Sequence, residues 1–225
     1  MMMHRLAIYD MDKTITRKAT YGLFIAHVIR MYRPWRVVLV PLMAFAALGY
    51  ALRLIDRSQL KEWNLALLLG NRINRDSANR VADSFAAETI QSNVLAGALA
   101  QIAADKAAGY QVVIATASFR LYAQAIADSL GLSDVIATEL IAVDANTWQP
   151  RINGSNCYDA AKLDHVRRWM AQEGLERADC HIRFYSDHVS DAVCLQFADE
   201  AFATNAHAPL RELARKRGWK VLDWK

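Results

Sequence analysis

Cysteine is scarce: the 225 residues hold only Cys157, Cys180 and Cys194, with no C-x-x-C pair. An odd, widely spaced set argues against a disulfide framework, and Cys157, Cys180 and His181 lack the ligand spacing of a usual zinc site. The thiols are expected to be buried in a reducing cytoplasm, since no secretory signal precedes the first predicted strand. Acids are missing from a long stretch as well. Between Ile15 and Leu60 the single acid is Asp56, against Arg17, Lys18, Arg30, Arg33, Arg36, Arg53 and Arg57. The net charge of +4 is therefore unevenly placed, and this segment favours anionic partners. Nucleic acid is not the expected one, because a continuous apolar block separates the cations instead of interleaved stacking aromatics. Internal repeats and low-complexity linkers are absent. A hydrophobic content of 54% excludes disorder and suffices for one good core with a smaller second one.

What is present begins with "AIYDMDKTIT", residues 7–16. An apolar run leads into Asp10 and Asp12, and positions two apart at a strand end project to the same side. Two carboxylates so close repel unless a cation lies between them or one stays protonated. A strand followed by an Asx-type turn is the structural alternative for this stretch taken alone.

Leu6–Tyr9, Val112–Ala115 and the segments 181–187, 200–205 and 219–224 read as strands. Helices are expected over Val94–Ala108 and near 120–130, 158–172 and 208–217, with Gly131 ending the second of these. Strands alternating with helices predict an α/β fold: a Rossmann-like, doubly wound, mostly parallel sheet covered on both faces. Asp10, Thr116 and Asp187 then fall at carboxyl ends of strands, where such sheets bind ligands. From Thr20 to Ala87 only helical signals occur. The expected division is a core of residues 1–15 and 90–225, with an inserted all-helical cap over 16–89.

Four separated pieces carry chemistry: "DMDKT" at 10–14, "VVIATAS" with Thr116, "CYDAAK" ending in Lys162, and "YSDHVSD" with Asp187 and Asp191. Together and in this order they resemble the haloacid dehalogenase superfamily of phosphatases. The resemblance implies phosphomonoester hydrolysis with Mg2+, Asp10 as nucleophile through an aspartyl-phosphate, and Asp12 as general acid and base. It further implies Thr116 and Lys162 on the substrate phosphate, a metal held by Asp10, Asp187 and the backbone carbonyl of Asp12, and Asp191 orienting the metal's surroundings. The physics is compatible: an attacking carboxylate and a phosphate repel unless a divalent cation and a lysine lower the field, and hard oxygen ligands suit magnesium. One departure is Asp159, which stands where the related C-x-G-x-x-K pattern has glycine.

An insert just after the first motif resembles the branch containing phosphoserine phosphatases. Thr16–Phe24 holds no acid to meet an amino-acid ammonium group, so phosphoserine is not the expected substrate. Val37–Leu52 instead offers sixteen uncharged residues flanked by arginines, short of the about twenty that span a bilayer and interrupted by Pro41 and Gly49. An interfacial hairpin with arginines at anionic headgroups fits this run, and a buried seam of a soluble cap is its alternative. Apolar cap and catalytic set together resemble bacterial phosphatidylglycerophosphate phosphatases. The expected substrate is a lipid phosphate, at an anionic membrane surface on the cytoplasmic face of the inner membrane. A soluble metabolite phosphatase or a non-catalytic membrane-docked protein are the other readings.

Overall fold

The computed structural model describes residues 3–224. In β1 (His4–Tyr9), Leu6 and Ile8 enter one apolar cluster while Ala7 and Tyr9 enter another, so alternate residues feed opposite faces of a sheet. There follow α1 (Thr20–Met31), a 3-10 turn (Pro34–Leu39), α2 (Val40–Ala51), α3 (Arg57–Leu69), β2 (Ile73–Asn74), α4 (Arg75–Ser92) and α5 (Ala96–Ala107). The chain continues through β3 (Gln111–Phe119), α6 (Arg120–Ser129), β4 (Asp134–Thr138), β5 (Leu140–Asp144), β6 (Thr147–Ile152) and α7 (Ala160–Gln172). It ends with β7 (Cys180–Ser186), α8 (Ala192–Phe197), β8 (Glu200–Thr204), α9 (Ala208–Arg217) and β9 (Lys220–Leu222).

Six strands form the expected parallel sheet, in the order β4-β3-β1-β7-β8-β9. The chain builds outward from β1 through β3 to one edge and returns through β7 to the other. Ligand crevices form at such a reversal, beyond the carboxyl ends of the strands. Asp10 follows β1 and Asp187 follows β7, and the Asp10 amide donates to the Tyr185 carbonyl at 2.9 Å. The cysteines are free and buried.

The insert departs from the all-helical expectation. β2 pairs antiparallel with β6, and β5 completes a second, three-stranded sheet. The β5–β6 hairpin comes from residues 140–152, read as core, and β6 packs on α3. α4 packs on α6, and Phe24 stacks on Tyr122 with ring centroids 4.4 Å apart. One apolar cluster therefore runs from the insert onto the sheet face. Val37–Leu52 is not a single element either: it divides between the 3-10 turn and α2, with Pro41 in the first helical turn, where its missing N–H interrupts no bond.

Candidate active site

Asp10, Asp12, Lys162, Asp187 and Asp191 line one cavity of about 240 Å³ at the crevice, with Lys13, Arg57, Ala117, Tyr158 and His188 around them. Lys162 reaches it from the first turn of α7. Its Nζ donates to Asp10 Oδ1 at 2.8 Å and to Asp191 Oδ2 at 2.7 Å. Burial works against the lysine's charge, but the facing carboxylates of Asp10 and Asp191 outweigh it and hold its pKa well above the usual range. Burial pushes the Asp10 carboxyl up, Lys162 pulls against this, and Asp191, Asp187 and Asp12 add to the rise. Asp187 is pushed up to about 6 by burial and then by Asp191.

Asp12 lies in the turn Met11–Ile15, which Lys13 completes at φ 61°. Its Oδ1 accepts from the Thr20 amide and hydroxyl, both at 2.7 Å, and its Oδ2 from Ser118 Oγ at 3.1 Å. The start of α1 and the end of β3 thus fix the carboxylate from two sides. Thr116 is buried but does not close its strand, because β3 continues to Phe119. Its Oγ1 accepts from the Ser118 amide at 3.1 Å, and Ala117 is the residue of this stretch that lines the cavity. Asp159 adopts φ 56°, ψ −137° just before α7, a conformation that ordinarily calls for glycine. The aspartate thus stands at a position whose backbone suits the glycine of the related pattern.

Arg57 and Lys61 were not anticipated as site residues. Arg57 stacks its guanidinium over Tyr158, 4.1 Å from the ring centroid, at the cavity wall. Lys61, one turn on along α3, is buried; its Nζ donates to Ala117 O at 2.6 Å and Asn156 Oδ1 at 2.8 Å. The i, i+4 spacing of two cations just after the helix-capping Asp56 was the available signal. Both residues also line a second chamber of about 230 Å³, which shares Asp12, Arg57 and Ala117 with the first and adds Tyr21, Tyr50, Leu60 and Tyr122.

The donor set fits a divalent cation. Asp10, Asp187 and Asp191 crowd against Lys162, and Asp191 Oδ1 is buried without a hydrogen-bond partner. Among the described residues no three His, Cys, Asp or Glu side chains make a complete metal cluster. Magnesium does not need one, because it keeps waters and binds through one or two carboxylates plus substrate phosphate.

Residues 7–196 match the haloacid dehalogenase-like hydrolase family. The chain belongs to it. A Mycobacterium tuberculosis protein named phosphoserine phosphatase is 36% identical over 118 residues, 52% of this chain and 37% of that protein. The chain spans less than half the length of that relative. A Bordetella pertussis Tohama I protein of unknown function superposes with a TM-score of 0.86 at 26% identity, covering 99% of this chain and 100% of the other. A phosphoserine phosphatase solved as a phospho-aspartyl intermediate analogue superposes at 0.61 with 17% identity, covering 99% and 94%. That last likeness is one of fold.

Proposed function

We propose that this hydrolase is a magnesium-dependent phosphomonoesterase that works through an aspartyl-phosphate on Asp10, with residues 16–89 as its cap. The observation that carries the reading is Asp10, buried beside Lys162 at the sheet's reversal, with Asp12 two residues on and held by three donors. A carboxylate oxygen of Asp10 attacks phosphorus, the bond to the ester oxygen breaks, and Asp12 gives its proton to the leaving alkoxide. Water then attacks phosphorus, Asp12 takes the proton, and inorganic phosphate leaves as the Asp10 carboxylate re-forms. Lys162 balances charge at Asp10, and the end of β3 around Ala117 meets the phosphate oxygens. Asp10, Asp187 and the Asp12 carbonyl would hold magnesium, which when bound neutralises phosphate charge and orients one of its oxygens.

The substrate proposed is the phosphate monoester of a membrane lipid such as phosphatidylglycerophosphate. Support comes from the second chamber, where Asp12 is the one acid among its lining residues and Tyr50 belongs equally to the exposed apolar side of the cap. A leaving group with apolar chains has a route out past Tyr50. A phosphoserine-type substrate is the second reading; it is favoured by the name of the 36% relative and by Arg57, a ready partner for a carboxylate. Comparing kcat/KM with Mg2+ on phosphatidylglycerophosphate in mixed micelles, on O-phosphoserine and on an aryl phosphate decides between them. The lipid should lead phosphoserine by at least about 100-fold, close to 3 kcal/mol in transition-state binding. Preference for phosphoserine would contradict the lipid assignment and leave the catalytic one standing.

A further inference from the structure

α2 has the sequence VPLMAFAALGYA, without a charge and with one hydroxyl. Only Met43 and Ala46 of it are buried. A helix that is apolar on every side belongs in a protein core or in an apolar medium. This one is in neither. Phe45 is 70% exposed and Leu48 53%, Val38 in the preceding turn is 68% exposed, and Leu54 just beyond the helix is 75% exposed. Between α2 and α3 a groove of about 570 Å³ opens, lined by Trp35, Leu39, Leu42 and Trp63. Monomeric soluble proteins rarely leave so continuous an apolar patch to water without a use for it.

A second observation comes from the end of the helix. The Arg53 amide donates to Tyr50 O at 3.0 Å and the Leu54 amide to Gly49 O at 2.9 Å, a Schellman closure whose turning residue is normally glycine. Arg53 occupies it at φ 59°. Holding a long cation in a left-handed conformation costs stability, and such outliers point toward function. Here the outlier sets an exposed guanidinium between exposed Leu52 and Leu54.

We propose that the 3-10 turn, α2 and Leu52–Leu54 form a docking surface for an anionic lipid bilayer, lying in the headgroup plane with Phe45, Leu48 and Val38 inserted. Charge selects this occupant. Arg33 and Arg53 flank the apolar face and Asp56 is the one acid from Ile15 to Leu60, so pairing with a second copy through a two-fold axis would set cation against cation. Spanning is disfavoured by topology, not by length: the helical run Pro34–Ala51 is 18 residues long and apolar enough to cross, but α1 before it and α3 after it pack on each other, whereas a single crossing would put them on opposite sides of the bilayer. Not every arginine serves at the surface. Arg36 donates to Leu67 O at 2.6 Å, Arg30 pairs with Glu88 at 2.5 Å, and Arg57 lies in the catalytic cleft. In this orientation Tyr50 stands between the membrane side and the second chamber, so the surface deepens the lipid-phosphate reading and rests on it.

Flotation of the full chain with phosphatidylglycerol–phosphatidylcholine vesicles, and with phosphatidylcholine alone, tests the surface. Binding should require the anionic lipid and weaken as added salt screens the charges. Phe45→Ser with Leu48→Ser should lower the partition coefficient at least about tenfold with aryl-phosphate turnover unchanged. Arg53→Gly separates function from structure: it should lower the partition coefficient about fivefold, one basic residue's share, while raising the unfolding midpoint. No vesicle binding, or binding that these variants leave alone, overturns the surface. So does a solution dimer that Phe45→Ser dissociates, which would make the face a self-interface. Turnover of lipid phosphate in micelles without vesicle binding would overturn docking but not the substrate. Vesicle binding with turnover of soluble esters alone would sustain docking and overturn the lipid substrate.

Discussion

Lys61 is a buried cation set against a backbone carbonyl and an amide oxygen rather than against a carboxylate. Burial, and then the charge of Arg57, push its pKa down to about 7 from an ordinary 10.5. Its neutral amine can still donate to Ala117 and Asn156, so the bond that ties α3 to the end of β3 survives deprotonation. The linkage has a definite sign. Between pH 7 and 10.5 the unfolded chain holds a proton at Lys61 that the folded protein has released, so Lys61's share of stability rises with pH through that window. Urea unfolding of the wild type and of Lys61→Met from pH 6.5 to 9 should show the wild type gaining on the variant. The slope should not exceed about 1.4 kcal/mol per pH unit. A flat or falling difference would mean that Lys61 keeps its proton in the folded state.

At the scale of elements, the position of Lys162 depends on how α7 begins. Asp159 precedes it at a glycine-like φ of 56° and makes no side-chain cap bond, while its carbonyl accepts from the Lys162 amide at 3.0 Å. Asp159→Gly should stabilise the protein by about 1 kcal/mol, since strain of roughly 1–3 kcal/mol is relieved and roughly 0.5–1 kcal/mol of glycine's entropy is lost. Turnover should persist; destabilisation in denaturant titration would show that the aspartate side chain has a structural partner role. The same position shows what the sequence makes legible. The residues alone mark an aspartate in a glycine pattern, but only the backbone shows that it adopts a glycine-like conformation. β1, β7, β8, α6, α7 and α9 were readable because apolar runs and helical periods mark them. The β5–β6 hairpin was not. Pro150 inside β6 argues against a strand, yet β2 pairs only with Thr147 and Trp148, and on the β5 side the proline falls where the register shifts between the Ala142–Trp148 and Leu140–Ile152 pairs. Thr116 was placed at a strand end because the apolar run stops there, whereas pairing continues to Phe119 with a shift of register. Cations on a helix are usually solvated, and only the packing of α3 on the core buries Lys61 and brings the exposed Arg57 to the rim of the cavity.

At the scale of the whole molecule, the acids of the site sit at the sheet's reversal, and the insert brings cations to face them. Asp10, Asp187 and Asp191 come from the two central strands and the turn after β7. Arg57 and Lys61 bring positive charge to the rim of that pocket from α3, and Arg33 and Arg53 carry more of it on the outer side of the same insert. An anionic ester would thus meet a favourable field before it reached Asp10, the proposed nucleophile. The proposed mechanism turns on Asp10 forming a bond to phosphorus. Quenching the enzyme during steady-state turnover of an aryl phosphate with Mg2+, reducing with borohydride, and sequencing by mass spectrometry reads that bond directly, because an acyl-phosphate is reduced to homoserine. Homoserine at position 10, absent without substrate and absent from Asp10→Asn, is the predicted result; continued turnover in Asp10→Asn, or the label at another residue, would contradict the account.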